Sequence, residues 1–456
     1  MSTGGVSSGI SGRIRRQVMG LAEEHAAVGE VLRGANNACL SARYCSLAPF
    51  FRTNKKMVVF CSFEGRSYSD SPRALFEYMV RCGAFTDYTL IWGFCGDLKK
   101  YRRILSERVR FLTANLPQAA AGAGESGAGH RVPRICLVRY DSADWRKCLS
   151  ASGCWILNYK VKDYLKPRAD QVFVQTWHGT PLKRLGYDIT HFDNPTNTAQ
   201  GLARHYGIEA KKFTYFLSSS PYATEKFRSA WRMDEFGKHD IMLEEGYPRN
   251  DVLVNHAPDE AKRIRARILG ARADEKKVIL YAPTYRQEQH VTAQGYTWAL
   301  PLDLRKLQAD LGEDYVFLFR AHYLITNQID FDAYRGFAFD VSGEEDINDL
   351  YLISDLLVTD YSSAMFDFAL LRRPMIFHMY DLEYYRDQSN GFYFDPEKVL
   401  PGPIVRDQAA LTAAVREAAS SFTIDETYEK FIKTFDPYED GHASERVIRR
   451  VFAESF

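Results

Sequence analysis

Several features that would direct the reading elsewhere are missing from this sequence. No run approaches the ~18–20 consecutive apolar residues of a membrane-spanning helix. The opening stretch MSTGGVSSGISGRIRRQ lacks the apolar core of a secretory signal, so an intracellular protein is expected. Neither charge is in excess: 59 Lys+Arg against 58 Asp+Glu leave a net charge of +1, without the basic surplus of a nucleic-acid binder. The 8 cysteines, from Cys39 to Cys154, form no CxxC pair, which fits reduced thiols rather than a zinc site or a disulfide framework. A Walker A loop is also absent, which argues against an ordinary nucleoside triphosphatase. What remains is 456 residues, 46% hydrophobic and 26% charged. That composition excludes a disordered chain and leaves room for about two to four domains, with a core that needs no covalent staple.

The hydrophobic pattern predicts an N-terminal amphipathic helix from Ile10 to near Gly34, with Arg13, Arg15 and Arg16 at its start. From residue 56 strands and helices alternate. Strands are predicted at 55–63, 88–94, 109–112, 134–140, 154–158 and 171–178, and a helix over SPRALFEYMVRCG (71–83). A second series has strands at 278–284, 315–323, 337–342, 356–360 and 375–381, and helical pattern returns over 409–455. Such alternation implies mainly parallel, doubly wound sheets. GYPRND (246–251) lies between the two series and reads as a hinge. Two α/β units so joined place a ligand cleft outside the carboxyl ends of their strands. KFRSAWRMDEFGK (226–238) reads either as a surface contact for anionic lipid or as an ordinary solvated helix.

Two motifs are decoys. GAGESG (122–127) matches the dinucleotide fingerprint, but a strand follows it where a helix is required. Asp330-Phe331-Asp332 resembles a DxD metal site, yet two carboxylates flanking one apolar residue suit a solvated loop equally well.

Four strand ends gather groups suited to an anionic ligand. QTWHGTPLKRLGYD (175–188) delivers His178, Gly179 and Thr180: a proton-exchanging ring, a residue permitting close backbone approach, and a hydroxyl. YAPTYR delivers Thr284 and Arg286, and FLFRAHY delivers Arg320 and His322; cations at these positions read as an anion clamp. VTDYSSAMFDFALL (358–371) delivers Asp360, Ser362 and Ser363 where a helix begins, a place for phosphate or merely for a helix cap. With no metal-ligand cluster evident, this inventory suits transfer of a phosphate-linked group from a diphosphate donor by protein cations.

With FEGRSYSDSP (63–72), GYPRND and DINDLYLISDLLVTDYSSAMFDFALLRRPMIF (346–377) added, the ordered motifs resemble the CDP-glycerol glycerophosphotransferase family of teichoic-acid and capsule assembly. The resemblance runs from residue 63 to about 395. It implies an α/β, GT-B-like fold, two Rossmann-like domains facing a central cleft. The expected division is a helical extension (1–55), an acceptor-side domain (56–245), a CDP-polyol donor-binding domain (246–425) and C-terminal helices (426–456) packing back across the junction. It implies CDP-glycerol or CDP-ribitol as donor and no metal cofactor. It further implies a hydroxyl on a lipid-linked polyol-phosphate chain as acceptor, and a peripheral protein at the cytoplasmic membrane face. No nucleic-acid partner is implied. His178 and His322 map onto the family's catalytic pair. Arg286, Asp360, Ser362 and Ser363 map onto its donor-phosphate positions, which Thr284 and Arg320 adjoin. Gly179, Thr180, Lys183, Asp346 and Asn348 are the remaining cleft candidates. Donor polyol, primase against polymerase, and which histidine is the base stay open. A GT-B nucleotide-sugar glycosyltransferase and a non-catalytic membrane scaffold are the rival readings.

Overall fold

The computed structural model describes residues 26–114, 132–190, 199–270, 276–284, 300–320, 329–388 and 391–455. Two wholly parallel sheets organise them. The first holds β1 (Asn54–Cys61), β2 (Thr89–Phe94), β3 (Arg134–Arg139), β4 (Ser152–Leu157), β5 (Val172–Gln175), β6 (Tyr215–Ser218) and β7 (Met242–Glu244), in the order 3-2-1-4-5-6-7. The second holds β8 (Lys277–Ala282), β9 (Tyr315–Phe319), β10 (Ala338–Asp340), β11 (Leu356–Thr359), β12 (Met375–His378) and β13 (Ile404–Val405), in the order 10-9-8-11-12-13. Each order starts in the middle and reverses once, the doubly wound plan that opens a crevice beyond the strands' carboxyl ends.

Side-chain alternation explains why both sheets are covered twice. In β1, Val58 and Phe60 join one buried cluster while Val59 and Cys61 join the cluster on the opposite face. In β8, Val278, Leu280 and Ala282 point to one core and Ile279 and Tyr281 to the other. Burial on both faces requires continuously apolar strands, as both are over these residues.

Three expectations change. The predicted strand at 109–112 is the end of a helix, Leu98–Ala114, whose buried Tyr101, Leu105 and Leu112 share one face. The N-terminal helix does not close near Gly34: helix Ala26–Leu47 runs through it and docks Tyr44 on the first sheet's core. Strands β6, β7 and β13, of two to four residues, were not anticipated. GAGESG lies outside the described residues.

The C-terminal helices divide their loyalties. Helix Glu426–Phe435 buries Tyr428, Phe431 and Phe435 in the second sheet's core. Helix Ala443–Val451 returns to the first, where Val447 and Ile448 join Phe76 and Phe85. The eight cysteines are unpaired. Among the described residues no helix is long and apolar enough to cross a membrane.

Candidate active site

A pocket of about 530 Å³ opens where the carboxyl ends of both sheets approach one another. Phe63, Arg66, Ser69 and Asp70 come from the segment after β1, and His178 from the segment after β5. The second sheet supplies Arg320 after β9, Ser342–Ile347 after β10, and Ser362 and Ser363 after β11. Arg249, from the turn Pro248–Asn250 between the sheets, closes the wall.

His178 is placed with care. Gln175 Oε1 accepts from the backbone N–H of Trp177 at 3.0 Å, holding Trp177 at φ +52°, a left-handed conformation unusual for a bulky residue. That kink stacks the Trp177 ring on the imidazole, centroids 4.2 Å apart. Nδ1 of His178 lies 2.9 Å from the backbone carbonyl of Asn158, the residue after β4. A carbonyl only accepts, so Nδ1 carries the proton and Nε2 of the neutral ring keeps a lone pair. Burial pushes the imidazole pKa down to about 4, although the Asn158 bond opposes the shift. At neutral pH the ring is therefore uncharged, with Nε2 unprotonated.

Gly179 explains the contact between the sheets here. A Cβ on it would lie 2.7 Å from Ser363 Oγ, so only glycine lets the two strand ends meet this closely. Ser362 Oγ accepts from the backbone N–H of Ala364 at 3.3 Å where the short helix Ala364–Ala369 begins; Ser363 is that helix's N-cap residue, and both serines line the pocket.

Other sequence candidates turn out to hold the frame. Arg320 is committed: one nitrogen donates to the carbonyls of Val341, Ser342 and Glu344 at 3.0, 3.0 and 2.5 Å, shaping the loop after β10. Asp360 accepts from the backbone N–H of Thr284 at 2.8 Å, joining the ends of β8 and β11. Asp346 lines the pocket, caps helix Ile347–Ile353 and pairs with Arg73 of the other sheet at 3.1 Å. Thr180 lies 3.0 Å from Ser219 Oγ, Lys183 donates to the Tyr385 hydroxyl at 3.0 Å, and Asn348 donates to the Arg249 carbonyl at 2.5 Å. Thr180, Lys183, Thr284, Asn348 and Asp360 do not line this pocket. Arg286 and His322 lie outside the described residues.

Two contributors escaped the sequence reading. Phe63, Glu64 and Gly65 all have positive φ, and the backbone N–H of Phe63 donates to Asn158 Oδ1 at 2.8 Å. One asparagine thus fixes both the pocket loop and the His178 tautomer. Arg249, read as part of a hinge, is a buried cation clasped by Asp367. Neither carries a signal in spacing; both need the folded neighbours. Asp330 and Asp332 form an exposed turn, with Asp332 paired to Arg335. Among the described residues no group of three His, Cys, Asp or Glu is arranged to hold a metal ion.

A neutral imidazole with a free lone pair, hydroxyls and a buried cation, gathered at the carboxyl ends of two parallel sheets, make the site of a group transferase. The chain belongs to the CDP-glycerol:poly(glycerophosphate) glycerophosphotransferase family, whose model matches residues 44–453. It is 37% identical over 409 residues to a Staphylococcus aureus teichoic acid glycerol-phosphate transferase, covering 88% of this chain and 93% of that protein. It is 35% identical to the teichoic acid poly(glycerol phosphate) polymerase of Bacillus subtilis, over 91% of this chain but only 52% of the polymerase, so it spans about half that relative's length. A solved wall teichoic acid polymerase, TagF, superposes with a TM-score of 0.74 at 34% identity, covering 93% of this chain and 97% of that one.

Proposed function

We propose that this enzyme moves a glycerol-phosphate unit from CDP-glycerol to a hydroxyl of a lipid-linked or polymeric polyol-phosphate acceptor, releasing CMP. The observation that carries the reading is the His178 tautomer: Nδ1–H held on the Asn158 carbonyl leaves Nε2 unprotonated, its lone pair available at neutral pH. The acceptor oxygen forms a bond to the phosphorus that bears glycerol. The P–O bond to CMP breaks, its electron pair leaves with CMP, and the hydroxyl proton passes to His178 Nε2. A positioned base of this kind contributes about 10²–10⁴-fold.

Ser362 and Ser363 offer hydroxyls to the donor's phosphates from the second sheet. By family resemblance, Arg286 and His322 join them, His322 opposing charge on the departing CMP. The arrangement is GT-B-like: a domain ending near 245 presents the acceptor-side groups and one from 246 to about 425 holds the donor. Glycerol is preferred over ribitol because the relatives described above act on glycerol phosphate. The acceptor brings the enzyme to the cytoplasmic face of the membrane as a peripheral protein.

The test is product analysis after incubation with labelled CDP-glycerol or CDP-ribitol, with and without a lipid-linked acceptor, in the presence of EDTA. Acceptor-dependent CMP release from CDP-glycerol, undiminished by EDTA, is expected. Release of a nucleoside diphosphate from a nucleotide sugar would establish glycosyl transfer instead.

A further inference from the structure

Arg249 is 5% exposed and sits on the turn between the two sheets, in the same pocket wall as His178, Ser362 and Ser363. Its orientation is fixed from several sides. Nε and Nη2 donate to the two oxygens of Asp367 at 3.2 and 2.7 Å. Asn250 Nδ2 braces the same carboxylate at 3.0 Å, and the guanidinium lies over the Tyr247 ring, 4.3 Å from its centroid. The third nitrogen, Nη1, is buried and finds no hydrogen-bond acceptor among the described residues. Asp70 Oδ1, 3.7 Å away, balances its charge without reaching bonding distance. A buried donor without an acceptor is costly, and Arg249 holds one in the wall of a polar pocket beside His178 and the two serines, a place for a ligand oxygen.

The ligand's chemistry follows from the donor. A guanidinium is always charged, and its planar fork matches the oxygens of phosphate. We propose that Arg249 Nη1 donates to a non-bridging oxygen of the phosphoryl group being transferred, with Asp367 as its positioning residue. This rests on the function proposed above. In that step the bond from the acceptor oxygen to phosphorus forms and the bond from phosphorus to the CMP oxygen breaks. The proton goes to His178, and the non-bridging oxygens keep their negative charge throughout. A fixed cation beside them stabilises the transition state without reorganising. Arg320 cannot substitute through Nη1, which is spent on three carbonyls.

The experiment measures acceptor-dependent CMP release from CDP-glycerol, CMP affinity by calorimetry and thermal unfolding for wild type and Arg249→Lys, which keeps the charge but not the fork. CMP lacks the transferred phosphoryl group, so it separates a ligand contact from a structural one. Expected for Arg249→Lys is a fall in kcat of about 100-fold or more with CMP affinity nearly unchanged, beside a lower Tm from the fork lost to Asp367. Asp367→Asn should show a smaller loss of the same kind. Added methylguanidinium should restore part of the turnover of Arg249→Ala; if that variant does not fold, Arg249→Lys decides. Wild-type kcat in Arg249→Lys, or joint collapse of turnover and CMP affinity, overturns the inference. A wild-type enzyme that releases no CMP would instead overturn the function on which it rests.

Discussion

The surroundings of His178 decide which of its nitrogens is basic. Asn158 takes the proton-bearing side of His178, Trp177 covers one face of the ring, and Phe63 lies 5.8 Å from it. His178→Ala should lower kcat by about 10²–10⁴-fold while CDP-glycerol still binds. Since burial lowers the His178 pKa to about 4, the ring is uncharged in the free enzyme down to mildly acid pH. The acid limb of kcat/KM due to His178 should therefore fall well below pH 6. A limb at about 6.5 that disappears in a His178 variant would mean a solvated, ordinary histidine. WHGT was legible as a site in the sequence because an apolar strand runs straight into it. Asn158 and Arg249 were not, since the Asn158 contacts to His178 and Phe63 and the unbonded Arg249 nitrogen arise only between segments brought together by folding.

Where elements meet, the tolerances are those of bare backbone. Gly179 after β5 touches Ser363 after β11, and an added Cβ would stand 2.7 Å from its hydroxyl. Gly179→Ala should push these strand ends apart and reduce kcat by at least about tenfold, with little change in Tm, because the contact lies at a pocket edge rather than in a core. Steady-state kinetics beside a thermal melt would check this; unaltered turnover would mean that the close approach is dispensable. The longer elements were readable in advance: β1 and β8 are apolar on both faces, as doubly covered parallel strands must be. The segment 109–112 was misread because four residues of VRFL fit a strand as well as the last turn of helix Leu98–Ala114. Strands β6, β7 and β13 are too short to carry a period of their own and owe their conformation to the neighbours they pair with.

Across the whole molecule, charge ties the two sheets around the pocket. Glu77 is buried and bound by Arg73 at 2.8 Å and Arg108 at 2.7 Å; Arg73 also reaches Asp346 of the second sheet, and Glu345 accepts from Lys100 and from the backbone N–H of Tyr68. Burial raises the Glu77 pKa, but the charges of Arg73 and Arg108 outweigh it and hold the carboxyl at about 2. A depressed carboxylate pKa stabilises the fold fully above the unfolded value, ordinarily about 4.3, and that stability is lost as pH falls from there through about 2. Glu77→Gln should thus cost about 3 kcal/mol at pH 7, seen as a lower urea midpoint, and the deficit against wild type should shrink toward pH 3. A deficit that does not change with pH would assign the loss to packing. The central claim, that two parallel sheets hold a diphosphate while His178 takes the acceptor's proton, is met most directly by rapid-quench single-turnover kinetics. CDP-glycerol bound to excess enzyme is mixed with a lipid-linked glycerol-phosphate acceptor, and CMP is followed in wild type and His178→Ala. Prompt CMP formation is expected in wild type and slow formation from fully bound donor in the variant; equal rates in the two proteins would take His178 out of the proton transfer.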